Sequence, residues 1–120
     1  MNWTLESLTG AIHQWGRERG IHQNGNLVSQ SHKLIEEAQE TLAAAPRLAA
    51  ANSSLEDYEE CGAAYKEFAD GIGDTFVVLV QLCAIAKIDL EDCVYNAYQE
   101  IKDRKGYLNE DGVFVKEASK

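Results

Sequence analysis

The stretch Lys66–Lys87 reads KEFADGIGDTFVVLVQLCAIAK, and its composition decides the fold class. Between Ile72 and Ile88 the only charged residues are Asp74 and Lys87. A helix that is apolar on nearly every side is normally buried by other helices. The run Thr75–Ala86 is too short to span a bilayer and contains Gln81, so a core helix of a soluble protein is expected. Upstream, helical spacing puts Glu67, Asp70 and Asp74 on one stripe, which continues through Val78, Leu82 and Ile85. Those apolar residues need covering, which places the acids at the mouth of a covered groove. A carboxylate carried among Gly73, Phe76, Val77 and Val78 costs several kcal/mol unless it is paired or metal-bound. A salt bridge from Asp74 to Lys33, Lys102 or Arg104 is one resolution and a cation is the other. Gly71 and Gly73, each weakening a helix by roughly 1 kcal/mol relative to Ala, suggest close approach of a backbone or ligand.

The remaining helices are read outward from this one. Leu5, Leu8, Ile12 and Trp15 recur at helical spacing, with Thr4 as N-cap and Gly20 as stop. Residues 21–26 read as a loop turning at Asn24-Gly25. A second helix has Val28, Leu34, Ile35, Ala38 and Leu42 as its apolar face and is expected to end just before Pro46. Residues 43–54 follow as a connector. Ser54-Leu55-Glu56-Asp57 looks like a capped start of the long helix, with a break near Gly62 as an option. Asp89 with Asp92 caps a last helix through Leu90, Val94, Ala97 and Ile101; Lys102, Arg104 and Lys105 sit in its last turn, and Gly106 stops it. Tyr107-Leu108 and Val113-Phe114-Val115 around Asn109–Gly112 suggest a β-hairpin or extended arm. The expected fold is all-α, one domain over residues 1–120: an antiparallel four-helix bundle with that short C-terminal hairpin or arm.

The totals narrow the function. A net charge of −9 argues against wrapping a nucleic acid polymer. Three cysteines, Cys61, Cys83 and Cys93, with no CxxC pair, fit a reducing compartment. With no basic and apolar leader in Met1–Gly10, a cytoplasmic protein free of membrane contact is expected.

A second acidic group, Glu36-Glu37-Ala38-Gln39-Glu40, precedes the first on its own helix. By helical angle these acids lie opposite Leu34, Ala38 and Leu42, where acids are usually a solvated surface, and Lys33 is placed to pair with Glu37. Two acidic faces opposed across a bundle would instead form an oxygen cage for a hard divalent cation. Trp3 and Trp15 read as core more readily than as base-stacking groups. His13, His22 and His32 show no metal-ligand spacing with one another or with cysteine.

The ordered set of these motifs resembles the MazG-like all-α NTP pyrophosphatases. Glu36, Glu37 and Glu40 match that family's EExxE, and Gly71-Ile72-Gly73-Asp74 followed by Phe76–Val80 matches its second motif. Tyr95–Gly106, Gly112–Glu117 and His13-Gln14-Trp15-Gly16 are similar to the short members found in phages and mobile elements. The chain departs from the pattern at Gly71, where the family carries Glu; Asp70 or Glu67 is then the substitute. The resemblance implies Mg²⁺-dependent hydrolysis (Mn²⁺ substituting) of a nucleoside triphosphate to a monophosphate and pyrophosphate. It implies Glu37, Glu40, Glu67, Asp70 and Asp74 as metal ligands and Glu36 or Glu37 as general base. Lys33, Lys102, Arg104 and Lys105 would meet phosphates, Asn96 sugar or base, and Trp15 a base. A homodimer or homotetramer is implied too. Two other functions stay open: a non-catalytic nucleotide- or metal-binding module that kept the fold, and a purely structural helical interaction domain.

Overall fold

A computed structural model describes residues 2–53 and 58–118. Their contacts divide the chain into two compact units, Met1–Ile88 and Asp89–Lys120. The described residues are mostly helical. Helices α1 (Leu5–Glu18), α2 (Ile21–Asn24), α3 (Leu27–Ser53) and α4 (Tyr58–Ala86) belong to the first unit. Helix α5 (Leu90–Ile101) and strands β1 (Gly106–Leu108) and β2 (Phe114–Lys116) belong to the second.

The first unit is built on an antiparallel hairpin of α3 and α4. The least exposed positions of α3 include Gln30, Leu34, Glu37, Thr41, Ala44, Leu48 and Ala51, stepping by four and three. On α4 the same alternation gives Ala64, Phe68, Gly71, Thr75, Val78, Leu82 and Ile85. This is the heptad seam of two long helices packed side by side. Its middle is made of small residues, so the backbones come close. A Cβ on Gly71 would stand 2.2 Å from Thr41 Oγ1 and 3.1 Å from Thr41 Cα. Gly71 therefore has the close-approach role its position suggested, whereas a Cβ on Gly73 would meet nothing.

The seam is not the apolar face read from the sequence. Of that stripe only Leu34 turns inward; Val28 and Leu42 are each 69 % exposed, and Ile35 is exposed as well. Leu27, Val28, Ser31, His32 and Ile35 line an open depression of about 230 Å³. Among the described residues the buried hydrophobic ones are Ala44, Ala51, Ala64, Val78 and Val80, with no large side chain fully enclosed.

Several boundaries differ from the sequence expectation. Residues 21–24 form one helical turn rather than loop, started from Gly20 in the left-handed region at φ 77°. Helix α3 runs through Pro46 to Ser53. Proline removes one amide donor, but the Ala-rich segment after it has the strongest helix propensity of any residue type, and Ala44 and Ala51 are buried in the seam. Helix α4 passes Gly62, Gly71 and Gly73 unbroken. The expected cap at residues 54–57 lies outside the described residues. Gly62–Ala86 is by length and composition apolar enough to cross a bilayer, which the shorter run Thr75–Ala86 did not suggest.

Other ends follow the sequence. Thr4 caps α1 in a reciprocal box with Ser7, the Ser7 amide donating to Thr4 Oγ1 at 3.0 Å and the Thr4 amide to Ser7 Oγ at 2.9 Å. Helix α4 closes with Ile88 N–H donating to Cys83 O and Lys87 N–H to Ala84 O, Lys87 taking φ 59° where glycine is usual.

In the second unit Asp89 caps α5, accepting from the Asp92 amide at 3.1 Å. Helix α5 ends at Ile101, so Arg104 and Lys105 lie beyond its last turn and Gly106 opens a strand rather than stopping the helix. The tail is a hairpin: β1 pairs antiparallel with β2 in the register Tyr107 to Val115. Asn109 Oδ1 holds its turn by accepting from the Asp111 and Val113 amides.

Candidate metal centre

The α3–α4 register follows from two contacts, Thr41 against Gly71 and the Arg47–Glu67 ion pair. One heptad before Arg47 is Glu40, and one heptad after Glu67 is Asp74. These four residues, with Lys33, therefore line one flank of the hairpin. The other flank carries Val28, Ile35 and Leu42 from α3 and Tyr65 and Ile72 from α4, all exposed. A charged flank and an apolar flank thus share one two-helix scaffold.

Glu37 is the exceptional residue of the charged side. It occupies a seam position and is 6 % exposed, against the expectation that all three acids of its motif lie on a solvated surface. Lys33 Nζ reaches Glu37 Oε1 at 3.1 Å and Glu36 Oε2 at 3.4 Å. The Lys33 pKa is raised, first by its hydrogen bond to Glu37. Glu37 Oε2, by contrast, is buried without a hydrogen-bond partner. A buried acceptor in that state costs about 1–3 kcal/mol. Glu40 lies beside it, and its pKa is raised chiefly by the neighbouring Glu37 carboxylate. These two acids compete for positive charge, and one lysine supplies it to only one of the oxygens.

The second acidic group is arranged differently. Glu67, Asp70 and Asp74 are all exposed, so the expectation of a carboxylate drawn into apolar surroundings does not hold for Asp74. Their helix turns Ala64, Phe68, Gly71 and Thr75 into the seam instead. Glu67 is paired with Arg47, and Asp70 with Lys66 at 2.9 Å. No ion pair involves Asp74 among the described residues, neither with Lys33 nor with any other cation of the first unit. No three His, Cys, Asp or Glu side chains among the described residues are gathered closely enough to hold one metal ion.

Glu37, Glu40 and Asp74 carry oxygen donors of the kind a hard cation takes, but they are not gathered around one point. Gly71 contributes no donor, because Thr41 fills the space a side chain there would need.

Trp15 is half-exposed with the Arg19 guanidinium 4.6 Å from its ring centre, a cation–π pair rather than a core packing. Asn96, Lys102, Arg104 and Lys105 are all exposed and belong to the second unit. The Lys105 carbonyl accepts from the Glu117 amide at 2.8 Å. The sequence reading missed Gln81 as a polar residue of the interior: it is 2 % exposed and bonded to His22. Its signal was a lone amide inside the apolar run of α4. No family model, characterised protein or solved structure matches the chain.

Proposed function

We infer that this protein is a divalent-cation-dependent nucleoside triphosphate pyrophosphohydrolase acting from the charged flank of the α3–α4 hairpin. The observation that carries the reading is Glu37, a seam carboxylate with one oxygen on Lys33 and the other without a donor, next to Glu40. A free, buried acceptor beside a second carboxylate suits the ligand of a cation. The motif order that resembles the MazG-like family supports it as well.

Glu37, Glu40 and Asp74 would hold Mg²⁺ or Mn²⁺ by drawing together around the ion, since they are not gathered without it. The bound cation would supply the positive charge that admits a polyanion to an acidic surface and polarises its phosphoryl oxygens. Glu36, exposed beside Glu37, or Glu37 itself would take the proton of an attacking water. Lys33 would exchange its carboxylate partners for phosphate oxygens. Glu67 and Asp70 take structural ion pairs in this reading, with Arg47 and Lys66. Trp15 is proposed for the base.

The exposed apolar flank supports a homo-oligomer, a dimer or tetramer whose copies complete a four-helix bundle. Contiguous exposed apolar surface of this kind marks interaction sites. Light scattering would show a dimer or tetramer, and a monomer would remove this part of the proposal.

The test is a panel of NTPs and dNTPs assayed for pyrophosphate release with Mg²⁺. Turnover by the parent is expected, with loss by orders of magnitude in folded Asp74→Asn and Glu40→Gln. Full activity in both variants would end the proposal. A second reading, a non-catalytic nucleotide- or metal-binding module, draws on Gly71: the space for the usual acidic side chain is filled by Thr41. Tight nucleotide binding without turnover would favour it.

A further inference from the structure

A second polar centre lies where α1 and α2 meet α4. Gln81 projects from α4 and is almost wholly buried. Its Nε2 faces the Ile12 carbonyl at 3.5 Å, and its Oε1 stands 2.7 Å from His22 Nε2. An amide oxygen only accepts, so His22 Nε2 carries the hydrogen, and in the neutral ring this tautomer leaves the Nδ1 lone pair for a ligand role. Gly16 leaves the room for this: a Cβ there would stand 1.9 Å from Gln81 Oε1 and 2.8 Å from His22 Nε2. His13, exposed on α1, sets its ring 4.7 Å from the His22 ring, tilted by 54°.

We propose that His13 and His22 form a two-imidazole site for a borderline transition metal ion such as Zn²⁺, clasping α1 to α2. Three features carry it. Imidazole nitrogen binds zinc at about 2.0–2.1 Å with the ring centre roughly 1.1 Å behind it, so two rings on one tetrahedral ion have centres about 5 Å apart. The observed 4.7 Å lies close to that spacing, and the tilt keeps the rings from stacking flat. A metal-binding histidine characteristically donates its other ring hydrogen to a fixed acceptor, which fixes tautomer and ring orientation; Gln81 does this for His22. Two neutral imidazoles favour Zn²⁺, Ni²⁺ or Cu²⁺ over Mg²⁺, so the site differs in kind from the carboxylate flank. With two protein donors it leaves the remaining positions to water and binds modestly.

The test is a Zn²⁺ titration of the intact protein followed by histidine-ring NMR and calorimetry. With one equivalent the ring signals of His13 and His22 should shift together, while His32, exposed on α3, stays fixed. Mg²⁺ should leave all three rings unmoved. His13→Ala alters an exposed residue; it should keep the zinc-free unfolding midpoint and lose at least about tenfold in zinc affinity. Glu40→Gln should keep the ring shifts, which separates this site from zinc held by the acids. Zinc that leaves the rings unmoved, or that shifts His22 equally in the His13→Ala protein, overturns the proposal.

Discussion

Replacing Gly71 by alanine tests the α3–α4 seam, because Gly73, two residues on, is its internal control. Both glycines lie inside the same helix, and alanine at either gains about 1 kcal/mol of helix propensity. At Gly73 nothing stands within 4 Å of the new Cβ, so Gly73→Ala should stabilise by about 1 kcal/mol. At Gly71 the Cβ would meet Thr41 Oγ1 at 2.2 Å and Thr41 Cα and Cβ at 3.1 Å. The Thr41 hydroxyl donates to Glu37 O at 2.8 Å, so it cannot turn away without breaking that bond, and the backbone contact has no rotamer to relieve it. Overpacking of this sort costs about 1–3 kcal/mol, which offsets or outweighs the propensity gain. The two variants should therefore differ by about 2 kcal/mol, Gly71→Ala being the weaker, in urea unfolding at constant m-value. Thr41→Ala should recover part of the loss in the double variant. Equal midpoints for Gly71→Ala and Gly73→Ala would refute the close approach and, with it, the register that sets Glu40 across from Asp74.

Lys33→Met keeps the aliphatic stem but leaves Glu37 without its cation; unfolding by urea should show a loss of about 1–3 kcal/mol, and added Mg²⁺ should stabilise this variant more than the parent. Glu40 binds its proton more tightly in the folded state than an ordinary glutamate, whose value is 4.5, so folding is favoured while that proton is held and the benefit is lost as pH rises through the raised folded value. Glu40→Gln should flatten the fall in stability with pH in the window just above 4.5, and an unchanged slope would contradict the Glu37–Glu40 coupling. Lys87→Gly should raise the unfolding free energy by about 1 kcal/mol in urea titration, since Lys87 closes α4 at φ 59° and glycine takes that conformation without a Cβ penalty.

The sequence carried the helix ends wherever local chemistry sets them. Thr4 and Asp89 cap the helices they were expected to cap, and the Asn109–Gly112 turn folds the tail into a hairpin. It misled where packing overrides local rules. Pro46 reads as a stop, yet the alanines around it carry the helix on. The widest apolar stripe of α3, Val28–Ile35–Leu42, reads as its core face, yet the seam uses the smaller Thr41, Ala44 and Ala51 because they let α4 come near. That rotation buries Glu37, which helical angle alone assigns to solvent. For the candidate site, pattern reading found the pairing of Lys33 with Glu37. It did not find the pairing of Glu67 with Arg47, a contact across the seam that depends on the register between helices.

The most direct test of the cation site is paramagnetic broadening by Mn²⁺ in amide NMR spectra of the intact protein. Substoichiometric Mn²⁺ should broaden first the amides around Glu37, Glu40 and Asp74, and Glu37→Gln should abolish that focus. Broadening spread evenly over the acidic surface, or centred away from these three residues, would contradict the assignment of the charged flank as the metal centre.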